Sequence, residues 1–170
     1  MPLYFAYGSN MDLTAMVGRC PASKPTGLAR LARHRFFVTA DGYASVMRDP
    51  HRTVWGLLWD LALADVPALD RWESLSSGLY TKTMQSVLTA QGPRRALIYI
   101  ARAARPGPPK PGYMEAVAAA AEAAGLPGDY RRELETWLPA QRQAAQPSAQ
   151  TPKVRPTFAA PTSSVRRSTR

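Results

Sequence analysis

"YFAYGSN", residues 4–10, is an apolar, aromatic run that stops abruptly at Gly8, Ser9 and Asn10. The bulk from Leu3 to Ala6 favours a buried strand, whereas the residues after Tyr7 tolerate unusual backbone angles and bond locally. The pattern predicts a first strand that ends in a tight loop. Backbone N–H groups in such a loop lack ladder partners, so they can receive a carboxylate, a phosphate or a developing oxyanion when they face a cavity. A plain strand-closing turn would leave the same trace in seven residues.

Downstream of the loop, Leu13, Met16 and Val17 in "MDLTAMVGRC" recur at helical spacing, with Asp12 or Asn10 as the cap. The N-terminus of that helix would add its positive dipole end to an anion site at the loop. "TGLARLARHRFFVTA" combines partial alternation with a solid apolar patch and predicts one long bent strand. "ASVMRD" and "TVWGLLWDL" predict two further strands joined by a turn at "DPHR". In "ALADVPALDRWES" the period changes: Leu63, Val66, Leu69 and Trp72 fall three apart. They mark a helix that starts at Ala64 or Asp65, with Pro67 in its first turn.

"LYTKTMQSVLT" and "RRALIYIARA" predict two strands around the hairpin "AQGP", and "RPGPPKPGY" is a proline-rich connector. Two helices over 113–124 and 128–138, broken at "GLPGD", complete the body. Strands with interspersed helices, lacking a regular βαβα repeat, predict an α+β fold built as a small mixed β-barrel with peripheral helices.

The 170 residues suit one domain with a real core, and 45% hydrophobic with 20% charged residues excludes a disordered body. A domain is expected over 1–139. From 140 to 170 the chain turns to Pro, Ser, Thr, Ala and Gln, a composition that buries too little surface to order itself, so a disordered tail is expected. No window approaches the roughly 20 apolar residues of a membrane span, and residues 1–10 lack the basic and apolar segments of a secretion signal. The single cysteine, Cys20, forms no internal disulfide, which fits a reducing cytoplasm. With His34 and His51 as the only histidines, a Cys/His zinc site is not supported, and Cys20 and His34 read as structural. Net charge is +10. The tail holds Arg142, Lys153, Arg155, Arg166, Arg167 and Arg170 and no acid, leaving only four net charges to the body, which argues against nucleic acid as partner.

No phosphate loop, dinucleotide fingerprint or metal-ligand spacing is present, so the chemistry has to come from carboxylates and tyrosines. Glu73 stands out among the acids. It lies near a helix C-terminus, which disfavours negative charge, beside Trp72 and before a glycine-containing turn. Enclosure there would raise its pKa toward that of a general base. A solvated glutamate at a helix end is the alternative.

Taken together, "LYFAYGSNM", "VWGLLWDL", "LDRWESLSSGLY", "ALIYI", "PKPGY" and "AAGLPGDYRREL" resemble, in order and spacing over residues 2–138, the gamma-glutamylcyclotransferase family. The combination of Y-G-S-N with W-G-x-x-W, L-D-x-x-E-x-x-x-S-G-x-Y and G-L-P-x-x-Y carries the likeness, and Asn10-Met11 departs from the glutathione-specific branch. The resemblance implies a barrel with a pocket at one mouth and no cofactor. It also implies an enzyme that closes a γ-glutamyl group into 5-oxoproline and releases an amine. By the same resemblance Glu73 is the catalytic base. Tyr4, Phe5, Ala6, Tyr7, Gly8, Ser9 and Asn10 form the substrate-binding loop, and Tyr99 and Tyr113 line the pocket. The implied partner is a small γ-glutamyl molecule, without metal or membrane, the protein acting as a monomer or homodimer. A catalytically inactive barrel that serves as a binding or scaffold protein is the competing expectation.

Overall fold

A computed structural model describes residues 1–102 and 105–139; the tail expected from residue 140 lies outside the described residues. Five strands close a barrel in the order β1 (Leu3–Ala6), β3 (Ala44–Asp60), β2 (Lys24–Val38), β4 (Tyr80–Thr89) and β5 (Gly92–Ala101). Neighbours are antiparallel except β1 and β5, whose parallel pairing of Leu3 with Ala96 and Tyr4 with Leu97 makes the barrel mixed. Among the described residues four α-helices surround it: α1 (Leu13–Arg19), α2 (Val66–Trp72), α3 (Tyr113–Ala123) and α4 (Gly128–Glu135). None of the helices among the described residues is long and apolar enough to cross a membrane.

The core is apolar and continuous. Phe5, Leu31, Trp59 and Ile98 from the strands are almost fully buried, together with Met114 and Val117 of α3 and Leu134 of α4. Gly56, within the W-G-x-x-W stretch, lets β1 cross β3 closely: a Cβ there would sit 2.2 Å from the Ala6 carbonyl oxygen and 2.9 Å from the Phe5 ring. Only glycine fits that crossing.

The turn expected at "DPHR" does not reverse the chain. β3 runs unbroken from Ala44 to Asp60, and Asp49–Arg52 forms a bulge in it: Ala32 pairs with Thr53 and His34 with Arg48, so four residues of β3 face Arg33 alone. Arg33 adopts φ 57°. The local signal was sound, since Asp49 Oδ1 accepts from the His51 N–H at 3.0 Å. Such a bond marks a tight local bend whether or not the strand turns back.

In α1 Asp12 is the cap, its Oδ1 accepting from the N–H groups of Thr14 (2.8 Å) and Ala15 (3.1 Å). Of the three residues expected to face inward, only Met16 does; Leu13 and Val17 are exposed. Asp65 occupies the residue before α2 without capping it. Its buried carboxylate instead accepts from the Ala22 N–H at 2.9 Å and the Ser23 hydroxyl at 2.7 Å, tying the start of β2 to α2. Cys20 is buried, and burial pushes its thiol up to about 11, as fits a structural cysteine. His34 is buried too, its Nδ1 2.9 Å from the Ala32 carbonyl oxygen.

Candidate active site

One mouth of the barrel holds a cavity of about 300 Å³, its opening included, lined by Tyr4, Tyr7, Gly8, Ser9, Asn10, Ala44, Glu73, Tyr80, Tyr99 and Tyr113. β1 delivers Tyr4 and then stops, and residues Ser9–Met11 coil into a single 3-10 turn that brings Asn10 inward. Glu73 comes from the opposite side. It terminates α2, its N–H still bonded to the Leu69 carbonyl at 2.9 Å, and Ser74 then takes a left-handed φ of 53° that swings the chain away. That conformation is uncommon outside glycine, and it leaves the Glu73 side chain facing the cavity.

Asn10 joins the two sides. Its Nδ2 donates to Glu73 Oε1 at 2.7 Å and to the Tyr4 hydroxyl at 2.8 Å. Its Oδ1 accepts from Arg19, whose guanidinium stacks 3.5 Å from the centre of the Trp72 ring. Arg19 thereby fixes which way the amide points: with the oxygen engaged, both amide hydrogens are directed into the site. Burial pushes the Glu73 carboxyl up to about 7, against the opposing pull of Arg19 and of hydrogen bonds from Asn10 and Tyr4. The direction matches the sequence expectation, and burial is the largest cause. Trp72 is 54% exposed and packs on Arg19.

The tyrosines form the rest of the wall, and each hydroxyl is held. Tyr7 donates to the Tyr99 carbonyl at 2.5 Å, Tyr80 to the Ala44 carbonyl at 2.7 Å, and Tyr99 to Asp70 Oδ1 at 2.5 Å. Tyr113 accepts from the Ala44 N–H at 3.2 Å and bonds Ser9. Asp70 is anchored in turn by Lys82 Nζ at 2.8 and 2.9 Å. Burial raises the pKa of all five tyrosines, Tyr113 to about 12, so every one stays protonated at neutral pH.

Of the ten residues singled out in the sequence, eight meet here: Glu73, Tyr4, Tyr7, Gly8, Ser9, Asn10, Tyr99 and Tyr113. Phe5 and Ala6 do not border the cavity. Phe5 is fully buried with its ring against Tyr7, and Ala6 pairs with Leu57 in the barrel wall, because strand residues between the loop and the core are consumed by packing. The sequence reading missed Arg19, Asp70, Tyr80 and Lys82. Asp70 and Tyr80 lie within "LDRWESLSSGLY" and were visible as part of that motif, whereas nothing in the spacing marked Arg19 or Lys82. Among the described residues no group of three or more His, Cys, Asp or Glu side chains is placed to hold a metal.

The barrel's mouth sets a partly buried glutamate against a Gly-Ser-Asn turn, and the AIG2-like family model matches residues 53–134 of the chain. Within that class the resemblance to the gamma-glutamylcyclotransferase family is borne out. Gamma-glutamylcyclotransferases of Homo sapiens and Bos taurus are each 28% identical over 148 residues, covering 81% of this chain and 79% of theirs. A solved structure described as a gamma-glutamyl cyclotransferase superposes with a TM-score of 0.73 at 27% identity, covering 90% of this chain and 92% of that one. YkqA from Bacillus subtilis shares the fold at 21% identity, with a TM-score of 0.69 over 87% of this chain and 56% of its own.

Proposed function

We propose that the protein is a gamma-glutamylcyclotransferase that closes the γ-glutamyl group of a small amide into 5-oxoproline and releases the amine. The observation that carries this reading is Glu73, a carboxylate with its pKa near 7 facing the Gly8–Asn10 turn inside an enclosed, tyrosine-walled cavity. The substrate's α-ammonium is not nucleophilic until it loses a proton. A carboxylate that titrates near neutrality accepts that proton and can return it. The neutral amine nitrogen then forms a bond to the γ-carbonyl carbon, giving a tetrahedral oxyanion. Collapse breaks the bond from that carbon to the leaving nitrogen, which takes the first proton from Glu73, while the ring nitrogen gives up its second proton through the same carboxylate, so that the ring is left as a neutral lactam and the amine departs as an ammonium. Atoms balance with no water or cofactor consumed.

The Gly8–Asn10 backbone supplies donors for the α-carboxylate and the oxyanion, and its preorganisation favours the charge that develops. The tyrosine wall holds the glutamyl chain folded, which matters because ring closure depends on a near-attack geometry. Glu73→Gln preserves shape and hydrogen bonding but accepts no proton. Assayed for 5-oxoproline on a panel of γ-glutamyl amino acids and amines, it is expected to lose at least about a hundredfold in turnover. Parent-like turnover by Glu73→Gln would remove Glu73 as the base. A parent protein that cyclises nothing in the panel would favour a binding role.

A further inference from the structure

Beside the glutamyl cavity lies a second, wider groove of about 970 Å³ with its open mouth included. The two share Ser9, Glu73, Tyr80 and Tyr113. The groove continues along Tyr43, Trp72, Ser74 and Leu79. We propose that this groove is the subsite for the leaving amine and that it selects leaving groups with bulky apolar or aromatic side chains. The proposal rests on the cyclotransferase reading above.

Three observations support it. Glu73 borders both cavities, and in the proposed reaction it must reach the α-ammonium at the start and the departing nitrogen at the end. The departing group therefore belongs in the space that adjoins Glu73 beyond the first cavity, which is the groove. The lining is apolar in character: among the described residues that border it, Glu73 is the one ionisable carboxylate, and lysine, arginine, aspartate and histidine do not contribute. Two cations stand beside its walls without lining it, Lys110 with its amine 4.6 Å from the centre of the Tyr43 ring and Arg19 on the Trp72 ring. Finally, Trp72 is held in an exposed position by the Arg19 stack, and Tyr43 meets Tyr113 edge to face with centroids 5.3 Å apart. These are rigid aromatic surfaces standing open beside the base, and an apolar side chain laid on them is removed from water. A charged side chain would lose hydration there, and the charges within reach are already engaged: Glu73 by Asn10, Lys110 by the Tyr43 ring and Arg19 by the Trp72 ring.

The test compares γ-glutamyl-glycine, γ-glutamyl-phenylalanine, γ-glutamyl-lysine and γ-glutamyl-glutamate, which keep the leaving α-carboxylate constant and vary only the side chain. The expected kcat/KM for phenylalanine exceeds that for glycine by at least about tenfold, in line with burying one large apolar side chain, while lysine and glutamate gain nothing over glycine. Trp72→Ala is expected to lower the phenylalanine-to-glycine ratio about tenfold. A ratio near one in the parent protein, a preference for lysine or glutamate, or a ratio unmoved by Trp72→Ala would overturn the apolar subsite while leaving 5-oxoproline formation in place. Absence of 5-oxoproline from all four compounds would overturn the cyclotransferase reading and the subsite with it.

Discussion

The seam where β1 crosses β3 and the mouth where β1 ends are a few residues apart and built on opposite terms. At the seam, Gly56 leaves no room for a methyl group against Ala6 and Phe5, and the neighbouring side chains are apolar and almost fully buried. At the mouth, a cavity is kept open and filled with groups that are costly to enclose: five tyrosine hydroxyls, an amide and a carboxyl. The hydroxyls are offset by hydrogen bonds at 2.5–3.2 Å, but Glu73 is not fully compensated, since its pKa is displaced upward despite Arg19 and Asn10. The seam is made for stability. The mouth surrenders some of it to keep a carboxyl that titrates near neutrality.

Adding one carbon at the seam is the most severe way to test that contrast. Gly56→Ala is expected to destabilise the fold by about 3 kcal/mol or more, the upper range for overpacking, because the obstructing atom is a backbone oxygen that cannot step aside. Urea unfolding would measure it, and a loss below about 1 kcal/mol would mean that the seam has slack. At the mouth the opposite sign is expected. Glu73 has a folded pKa raised from 4.5 to about 7, so its favourable contribution is complete below about pH 4.5 and is lost as pH rises through 7. At about 1.4 kcal/mol per unit, the ionised carboxylate costs up to about 3 kcal/mol at pH 8. Glu73→Gln escapes that cost, so its melting temperature should gain on the parent's between pH 4.5 and pH 8. A constant difference would show that Glu73 is well solvated.

The smallest effect tests the link between the two sides of the mouth. In the proposed mechanism the ionised form of Glu73 is the base, so kcat/KM should rise with pH through about 7. Arg19 is the cation among the groups that face Glu73, the others being Asn10 and the protonated Tyr4, Tyr7, Tyr80, Tyr99 and Tyr113. Arg19→Met should therefore move the midpoint of the profile upward. An unmoved midpoint would restrict Arg19 to packing on Trp72.

The strands and the loop were legible because strong local signals agreed with the tertiary outcome. The hairpin at "AQGP" separates β4 from β5 at Ala90 and Gln91, with Gly92 at φ 105°, and the break at "GLPGD" falls where Gly125 closes α3 at φ 73°. Sequence reasoning failed where a residue's partner lay on another element. Leu63 and Trp72 complete the spacing of a helical stripe with Val66 and Leu69, yet both are exposed, because Leu63 sits in a 3-10 turn ahead of α2 and Trp72 is the last residue of that seven-residue helix. Arg19 carries no periodic mark, since its contact with Asn10 exists only once the 3-10 turn and α1 have set their relative angle. Glu73 was visible because helix end, indole and turn coincided, and burial is the largest cause of its raised pKa.

The parallel pairing of β1 with β5 also dictates when the site can exist. Tyr7 bonds the Tyr99 carbonyl across 92 positions of sequence, and Tyr113 closes the same cavity from later still. During synthesis β1 and its loop appear long before β5, and the barrel has no edge for them to close on until residue 97 has appeared. Loop closure over such a distance is slow relative to local structure, so the amino-terminal strand waits, half-paired with β3. Fragments ending before α3 lack Tyr113 and so cannot complete the cavity, and the proposed activity would begin only when nearly the whole domain has been synthesised.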